Sequence, residues 1–333
     1  MIKTDIYGTL GPACADKETL SRMFAAGMSG IRLNLSHVTL RKASGQVKAL
    51  HEAADSCGVK AKLLIDMQGP ELRLGSFETE PELIGGESLL LGNGGIAMPE
   101  IVLPHLLPGQ EVLLDDGRLL LKVTEMAENC AKAQVIRGGK LKSRKSIALP
   151  GAAIHPPTMT AEDMQNIADA VEFGVTAVMQ PFVRDAEDLK AVRAALDENG
   201  GKHIALMAKI ENMDGVEHLD ELLPYADEIV IARGDLGNAM PLWELPAVQK
   251  KISEKCSSAG KRFMVVTQML WSMERSPVPT RAEVSDIFNA VYDGCASVMV
   301  TGETAVGQYP VEVIKYLYNT AKEAEKFKKG SLV

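Results

Sequence analysis

The stretch Ile204-Ala205-Leu206-Met207-Ala208-Lys209-Ile210-Glu211-Asn212 decides the fold, because in it an apolar strand runs directly into two charged residues. Lys209 and Glu211 stand two residues apart, and a pleated strand places such residues on the same face. The next apolar run ends shortly before Asp235. Two carboxylates suit a hard divalent cation such as Mg²⁺, and an adjacent lysine suits a phosphoryl group. A structural ion pair at a solvated strand end is the simpler alternative.

Seven other apolar runs have the same character, and amphipathic segments with helix start signals such as Thr160-Ala161-Glu162-Asp163 lie between most of them. Near-continuous apolar strands that alternate with helices predict an α/β fold with a parallel sheet, and eight such units favour closure into a (β/α)₈ TIM barrel. A doubly wound sheet is the alternative, but no Gly-rich dinucleotide fingerprint follows the first run. The predicted strands are residues 5–10, 30–35, 62–67, 177–183, 204–210, 228–232, 263–269 and 297–300.

Residues 74–150 interrupt the alternation with short Leu- and Val-rich runs separated by Gly-rich turns. Residues 111–114 and 119–123 flank Asp115-Asp116-Gly117 in a hairpin pattern. We therefore expect a small all-β domain inserted after the third strand of a barrel made from residues 1–73 and 151–333. A lid over the active end of the barrel and a mere decoration of the fold are both compatible with this pattern.

Composition excludes several classes of protein. The 333 residues are 46% hydrophobic and 24% charged, which is typical of a soluble globular protein. A formal net charge of −8 argues against a nucleic-acid surface but not against small anionic substrates. Five scattered cysteines without CxxC spacing indicate reduced thiols, and no apolar run reaches the ~18 residues of a membrane span. We expect a cytoplasmic protein without nucleic-acid or membrane partners.

Polar side chains follow almost every predicted strand, at the barrel end where catalytic residues lie in such folds. This mixture of arginines, a lysine and carboxylates predicts a cleft for a metal-bridged phosphorylated substrate. Asn34, Ser36 and Asp66 are compact oxygen donors suited to a monovalent cation, although a hydrogen-bonded loop explains Asn34 and Ser36 equally well. His37 alone is more typical of a satisfied loop histidine than of a base. The polar residues after the strands are Arg32, Asn34, Ser36, His37, Asp66, Glu71, Arg73, Gln180, Arg184, Lys209, Glu211, Asp235, Thr267, Gln268, Thr301, Glu303 and Thr304.

Specific motifs spread along almost the whole chain resemble the pyruvate kinase family. That resemblance implies a barrel called the A domain, a β lid called the B domain, and phosphoenolpyruvate with Mg²⁺ (or Mn²⁺) between them. The matching motifs are Arg32-Leu33-Asn34-Leu35-Ser36-His37, Gly69-Pro70-Glu71-Leu72-Arg73, Asp115-Asp116-Gly117, Lys209-Ile210-Glu211-Asn212, Arg233-Gly234-Asp235-Leu236-Gly237, Thr267-Gln268-Met269-Leu270, Pro279-Thr280-Arg281-Ala282-Glu283 and Gly302-Glu303-Thr304-Ala305.

The resemblance also implies a role for each matching residue. Glu211 and Asp235 would hold the divalent metal, and Lys209 would stabilise the phosphoryl group in flight. Phosphate contacts fall to Arg32 and Arg73. The proton relay to the enolate carbon falls to Thr267, Thr301 and Glu303.

A K⁺ site and a nucleotide side are implied as well. Asn34, Ser36, Asp66 and the backbone of Met67 would bind K⁺, and Glu71 matches the carboxylate of K⁺-dependent members. Asn34 and His37 would lie on the nucleotide side, with Arg32 close to the bound cofactor.

The chain also departs from the family pattern. The chain stops soon after the last predicted barrel helix, which ends at about Lys329, so we expect no C-terminal effector domain and no effector regulation of that kind. We also expect a homo-oligomer, with a dimer through barrel helices near residues 281–292. Next to the site, Gln68 and Val306 stand at positions where the family pattern has lysine. Gln180-Pro181 replaces Ala-Ser, Asn238-Ala239 replaces Val-Glu, and Met67 replaces a threonine.

These observations predict a Mg²⁺- and K⁺-dependent kinase of glycolysis that converts phosphoenolpyruvate and ADP into pyruvate and ATP. Two alternatives stay open. One is a non-catalytic paralogue that binds a phosphorylated metabolite. The other is a related Mg²⁺-dependent enolpyruvate or 2-oxo-acid enzyme with altered nucleotide use.

Overall fold

The computed structural model describes residues 2–36, 38–77, 79–115, 117–152, 154 and 156–330. The chain divides into two compact units, one formed by Met1–Gly69 with Thr158–Val333 and the other by Pro70–Pro157. Among the described residues, no helix is long and apolar enough to cross a membrane.

The strands of the described residues fall into three successive groups along the chain. The first group is β1 (Asp5–Thr9), β2 (Gly30–Asn34) and β3 (Lys62–Asp66). The second is β4 (Glu82–Leu83), β5 (Ser88–Gly92), β6 (Glu111–Leu114), β7 (Leu119–Ala127), β8 (Cys130–Arg137), β9 (Gly139–Lys140) and β10 (Ile147–Ala148). The third is β11 (Ala177–Gln180), β12 (Ala205–Ile210), β13 (Glu228–Ala232), β14 (Arg262–Val266) and β15 (Ser297–Met299).

The first and third groups close into one parallel barrel, in the order β1-β15-β14-β13-β12-β11-β3-β2. Its interior is packed with side chains, including Met179, Met207, Met264 and Met299. The predicted (β/α)₈ TIM barrel is therefore confirmed, and all eight predicted strands take part in it.

The α-helices of the described residues belong to the barrel unit. Those longer than six residues bury apolar stripes against the strands, as the amphipathic pattern predicts. Capping boxes at Thr160 and Thr280 begin two of them. The helices are α1 (Lys17–Ala25), α2 (Ser44–Ser56), α3 (Ala161–Asp169), α4 (Ala186–Glu198), α5 (Met213–Glu217), α6 (Leu219–Leu222), α7 (Arg233–Asn238), α8 (Leu245–Ser258), α9 (Arg281–Tyr292), α10 (Gly302–Ala305) and α11 (Pro310–Lys328).

Two strands end three residues earlier than predicted because of their backbone conformation. β11 ends at Gln180 rather than at residue 183, since Phe182 has a φ of 50°. β14 ends at Val266 rather than at residue 269, since Thr267 and Gln268 have φ values of 82° and 53°. A positive φ is incompatible with an extended strand, and an apolar composition cannot reveal it.

The unit Pro70–Pro157 contains a five-stranded sheet in the order β10-β6-β7-β8-β5 and a separate β4–β9 pair. The hairpin predicted around Asp115 forms between β6 and β7, which pair antiparallel. Side chains such as Leu91, Val112 and Leu121 give this unit a core of its own. The domain limits predicted from the sequence and the role of this unit as a lid remain predictions.

Carboxylates of the barrel fix the chain on both sides of this insertion. Asp163 of α3 accepts hydrogen bonds from the backbone N–H groups of Gln68 (2.8 Å) and Gly69 (2.9 Å). On the return, the Thr158 hydroxyl donates to Asp188 of α4 at 2.6 Å. Helices α3 and α4 therefore fix the barrel residues that come directly before and after the insertion.

Candidate active site

Three charged side chains from β2, β3 and β12 meet at the carboxyl end of the barrel. Arg32 at the end of β2 donates to Asp66 Oδ2 through Nε (2.8 Å) and Nη2 (2.6 Å). Lys209 Nζ, from β12, lies 3.1 Å from both oxygens of the same carboxylate. Asp66 is 3% exposed, and Arg32 and Lys209 are each 12% exposed. The fold therefore brings these three residues together in one buried cluster.

The charges of this cluster stabilise one another. Burial disfavours the ionised form of Asp66, but Lys209 and Arg32 outweigh it and hold the pKa of Asp66 below its ordinary value. Burial likewise disfavours the ammonium of Lys209, but Asp66 and Glu211 raise the pKa of Lys209 above its ordinary value. Lys209 is therefore a fixed cation at neutral pH and not a proton acceptor.

Glu211 joins the cluster just after β12. Its Oε1 lies 2.9 Å from Lys209 Nζ, and its Oε2 accepts a hydrogen bond from the backbone N–H of Phe182 at 2.9 Å. Burial, reinforced by the negative charges of Asp235 and Asp66 and opposed by Lys209, raises the pKa of Glu211 to about 7. Glu211 is therefore the carboxylate of this cluster whose ionised form is disfavoured.

Asp235 lies in the first turn of α7, directly after β13, and its charge acts on Glu211. Two carboxylates that disfavour each other's ionisation fit a divalent cation, because the cation would offset the repulsion. Among the described residues, no group of three or more His, Cys, Asp or Glu side chains is arranged to hold a metal ion.

Thr267 lies in a strained loop after β14. A φ of 82° is rare for a β-branched residue and costs of the order of 1–3 kcal/mol. The Thr267 carbonyl accepts hydrogen bonds from Arg233 Nη2 (2.7 Å) and Nε (3.2 Å). A Cβ atom on Gly234 would lie 3.1 Å from Thr267 Cγ2, so the start of α7 packs closely against this side chain.

Glu303 connects the loops that follow the last two barrel strands. Its carboxylate accepts hydrogen bonds from the backbone N–H groups of Leu270 (3.2 Å) and Thr301 (2.7 Å), and the Thr301 hydroxyl lies 3.3 Å away. Glu303 is 1% exposed. Thr301 and Glu303 are thus in contact, and they lie next to the loop that begins with Thr267.

The residues predicted to bind K⁺ lie after β2 and β3. Asn34 and Asp66 are register partners, and Asn34 Oδ1 accepts a hydrogen bond from the Ser36 N–H at 3.1 Å. The Met67 N–H donates to the Met179 carbonyl at 3.1 Å. Asp66 of this donor set already pairs with Arg32 and Lys209.

Two other predicted site residues lie outside the barrel unit. Arg73 and Glu71 lie in the unit Pro70–Pro157, where they form an ion pair of 2.6 Å, and Arg73 Nη1 also donates to the Arg144 carbonyl. The phosphate contact of Arg73 remains a prediction. His37 lies outside the described residues, and so its predicted place on the nucleotide side is also still a prediction.

The structure also adds a pair that sequence reasoning missed. Asp286 of α9 accepts from Arg233 Nη1 at 2.8 Å, so Arg233 connects α9 to the Thr267 loop. Arg233 stands within a motif of the sequence, but its separation of 53 positions from Asp286 gives no sign of a contact. Only the closed barrel brings them together.

A comparison with protein families agrees with this geometry. The model described as pyruvate kinase, barrel domain, matches residues 1–314. The chain belongs to the pyruvate kinase family. The family model covers both units that the structure describes, so the motifs quoted above are parts of one continuous match.

Curated relatives of this family come from distant organisms. The pyruvate kinase of Bacillus licheniformis is 37% identical over 98% of this chain, and human pyruvate kinase PKLR is 39% identical over 97%. The pyruvate kinase of Clostridium perfringens is 35% identical over 98% of this chain and 71% of its own length. The chain spans 57% of the length of the Bacillus protein and 60% of the human one.

Proposed function

We propose that this chain transfers the phosphoryl group of phosphoenolpyruvate to ADP, giving pyruvate and ATP, with Mg²⁺ (or Mn²⁺) at Glu211 and Asp235. One observation carries the proposal. The buried ammonium of Lys209 is fixed between Asp66 and Glu211, at hydrogen-bond distance from both carboxylates. A rigid, permanently charged cation beside a carboxylate pair is what the transfer of an anionic phosphoryl group requires.

The charge balance of the cluster supports an anionic substrate. Arg32 and Lys209 provide two positive charges against the three carboxylates Asp66, Glu211 and Asp235. A divalent cation, when bound by Glu211 and Asp235, would supply Lewis-acid charge for the phosphoryl oxygens. With that charge included, the cluster becomes net positive and attracts a phosphorylated carboxylic acid.

The protein's own residues then have separate tasks. Lys209 and Arg32 stabilise charge on the phosphoryl oxygens while the enol P–O bond breaks and the bond to the terminal ADP oxygen forms. The enolate left behind needs a proton on carbon to become pyruvate. The strained loop after β14 supports the assignment of Thr267 to that relay, together with Thr301 and Glu303, because strained residues often serve function.

The monovalent cation belongs to the same proposal. Asn34, Ser36, Asp66 and the backbone of Met67 are proposed to bind K⁺. Support for this set comes from the register pairing of Asn34 with Asp66, which places two oxygen-bearing side chains at adjacent strand ends. Homo-oligomer formation stays a prediction.

The test follows pyruvate formation from phosphoenolpyruvate and ADP in the presence of Mg²⁺ and K⁺. Lys209→Met is expected to lower kcat/KM by about 10²- to 10³-fold, since it removes a preorganised charge from the transition state. Lys190→Met is the matched control, because Lys190 is a surface lysine that pairs with Glu187 and lies over Tyr225.

Other results have defined meanings. Wild-type protein that binds phosphoenolpyruvate without forming pyruvate would contradict the proposal and favour a phospho-metabolite-binding protein. Pyruvate formation with a phosphoryl acceptor other than ADP would favour the alternative with altered nucleotide use. A rate that is the same with and without K⁺ would reject the K⁺ assignment alone.

A further inference from the structure

The side chain of Arg233 lies between two partners that the sequence does not connect. Its Nη1 atom lies 2.8 Å from Oδ1 of Asp286 on α9, and its Nη2 atom lies 2.8 Å from Oδ2 of the same carboxylate. Its Nε and Nη2 atoms donate to the single carbonyl oxygen of Thr267. The Arg233 side chain is 13% exposed, so both sets of contacts are largely shielded from water.

The Thr267 carbonyl that receives these bonds belongs to a left-handed backbone. With φ values of 82° and 53° at Thr267 and Gln268, this turn needs fixed partners to persist. Arg233 holds the carbonyl of Thr267, and a Cβ atom on Gly234 would lie 3.1 Å from the Thr267 Cγ2 atom, so a larger residue at position 234 would press on this side chain. The first two residues of α7 therefore fix Thr267 by its backbone and by its side chain.

The same helix turn carries Asp235, two positions after Arg233. A shift of α7 would therefore move a proposed metal ligand and Thr267 together. Lysine could not replace Arg233, because only a planar guanidinium offers two N–H groups to one carbonyl while its other edge pairs with a carboxylate.

We infer that Arg233 is a positioning residue, held by Asp286, that fixes Thr267 for proton delivery to the enolate carbon. The inference rests on the proposed function. It assigns no contact with substrate to Arg233 or Asp286, and both act through the conformation of the loop after β14.

The experiment is a double-mutant cycle on the full-length chain, with kcat and the KM for phosphoenolpyruvate measured at saturating Mg²⁺. Arg233→Lys is expected to lower kcat about 10- to 100-fold with KM changed less than about threefold, because misplacing a catalytic group by about 1 Å costs that much. In a Thr267→Val background, the same change is expected to lower kcat less than about twofold.

Two further variants keep the result interpretable. Asp286→Asn keeps Arg233 but removes the charge that holds it, so a smaller loss of kcat than in Arg233→Lys is expected. This variant tests the inference if Arg233→Lys does not fold. Lys250→Gln is the control, since Lys250 forms an exposed ion pair with Asp293. That control is expected to have wild-type kinetics.

Equal losses of kcat from Arg233→Lys in both backgrounds would overturn the inference, as would wild-type kcat in Asp286→Asn and Arg233→Lys. Wild-type protein without any turnover would instead overturn the proposed function, and the inference with it.

Discussion

Asp66 is the residue on which the charge cluster depends. A single carboxylate accepts hydrogen bonds from Arg32 and Lys209, so two buried cations share one counter-ion. The pKa of Asp66 lies below its ordinary value, and it stays ionised wherever the protein is folded at neutral pH. The same carboxylate therefore serves the stability of the barrel and the order of its proposed catalytic lysine.

Replacing Asp66 by asparagine is expected to lower the free energy of unfolding by about 3–5 kcal/mol, because the substitution removes the carboxylate that pairs with buried Arg32 and leaves Lys209 with Glu211 alone. Urea denaturation measures the change. Asp220→Asn is the matched control, since Asp220 forms a surface ion pair with Lys255, and a change below about 1 kcal/mol is expected there. Equal effects of the two substitutions would contradict this account.

The strands of the barrel could be predicted from the sequence, whereas several of their ends could not. Eight apolar runs were enough to predict eight strands, because a parallel sheet covered by helices needs apolar side chains on both faces. The stretch predicted as the seventh strand continues beyond Val266, the last residue of β14, as Thr267-Gln268-Met269 without a Gly or Pro to mark the strand end. Only contacts with Arg233 and Gly234 bend that run, and those contacts exist only in the folded barrel.

Close approach of neighbouring strands is a second property of these elements. At Gly30, the first residue of β2, a Cβ atom would lie 2.2 Å from the carbonyl oxygen of Lys62 on β3. Backbone atoms of a central barrel strand cannot move aside as a flexible side chain can. The first turn of α2 offers the opposite case, since a Cβ atom on Gly45 would meet nothing within 4 Å.

Gly30→Ala is expected to destabilise the protein by more than about 2 kcal/mol through overpacking. Gly45→Ala, the same chemical change in an open helical position, is expected to be neutral or to stabilise by up to about 1 kcal/mol. Thermal unfolding of the two variants side by side tests the pair. A Tm for Gly30→Ala equal to that of wild type would show that β2 and β3 are not packed as described.

At the scale of the whole molecule, Glu325 joins distant parts of the chain. This residue of α11 accepts hydrogen bonds from the backbone N–H groups of Lys3 (2.7 Å) and Thr4 (2.8 Å) and from the Thr4 hydroxyl (2.9 Å). Burial of the carboxyl disfavours its ionised form, but these donors outweigh burial and hold the pKa of Glu325 below its ordinary value. The last helix is thereby fixed to the residues that precede β1.

A lowered folded-state pKa means that Glu325 stabilises the fold above its unfolded pKa of about 4.3, and that this contribution disappears as the pH falls through the folded value. Glu325→Gln is therefore expected to be about 1 kcal/mol less stable than wild type at pH 7, a value kept small because the group is partly exposed. The difference should shrink below about pH 4. Urea unfolding at pH 7 and pH 3.5 checks it, and a difference that grows with acid would contradict the sign.

The site divides in the same way into what the sequence predicts and what it does not. Lys209 and Glu211 stand two residues apart at the end of β12, and β13, which precedes Asp235, pairs with β12, so the predicted strand ends were enough to group these residues. The ion pair between Asp286 and Arg233 depends on how α9 packs against the barrel, and no local sequence pattern predicts it. Local geometry was therefore predictable, and long-range support was not.

The position of the insertion has a consequence for how the chain folds. β3 and β11, which precede and follow residues 70–157, pair directly through Leu64 with Ala177 and Asp66 with Met179. Loop-closure entropy grows only with the logarithm of loop length, by about 0.6 kcal/mol for each doubling. The segment also has a hydrophobic core of its own, which includes Leu91 and Val112. The insertion of residues 70–157 between β3 and β11 therefore adds little to the entropy cost of pairing these two strands.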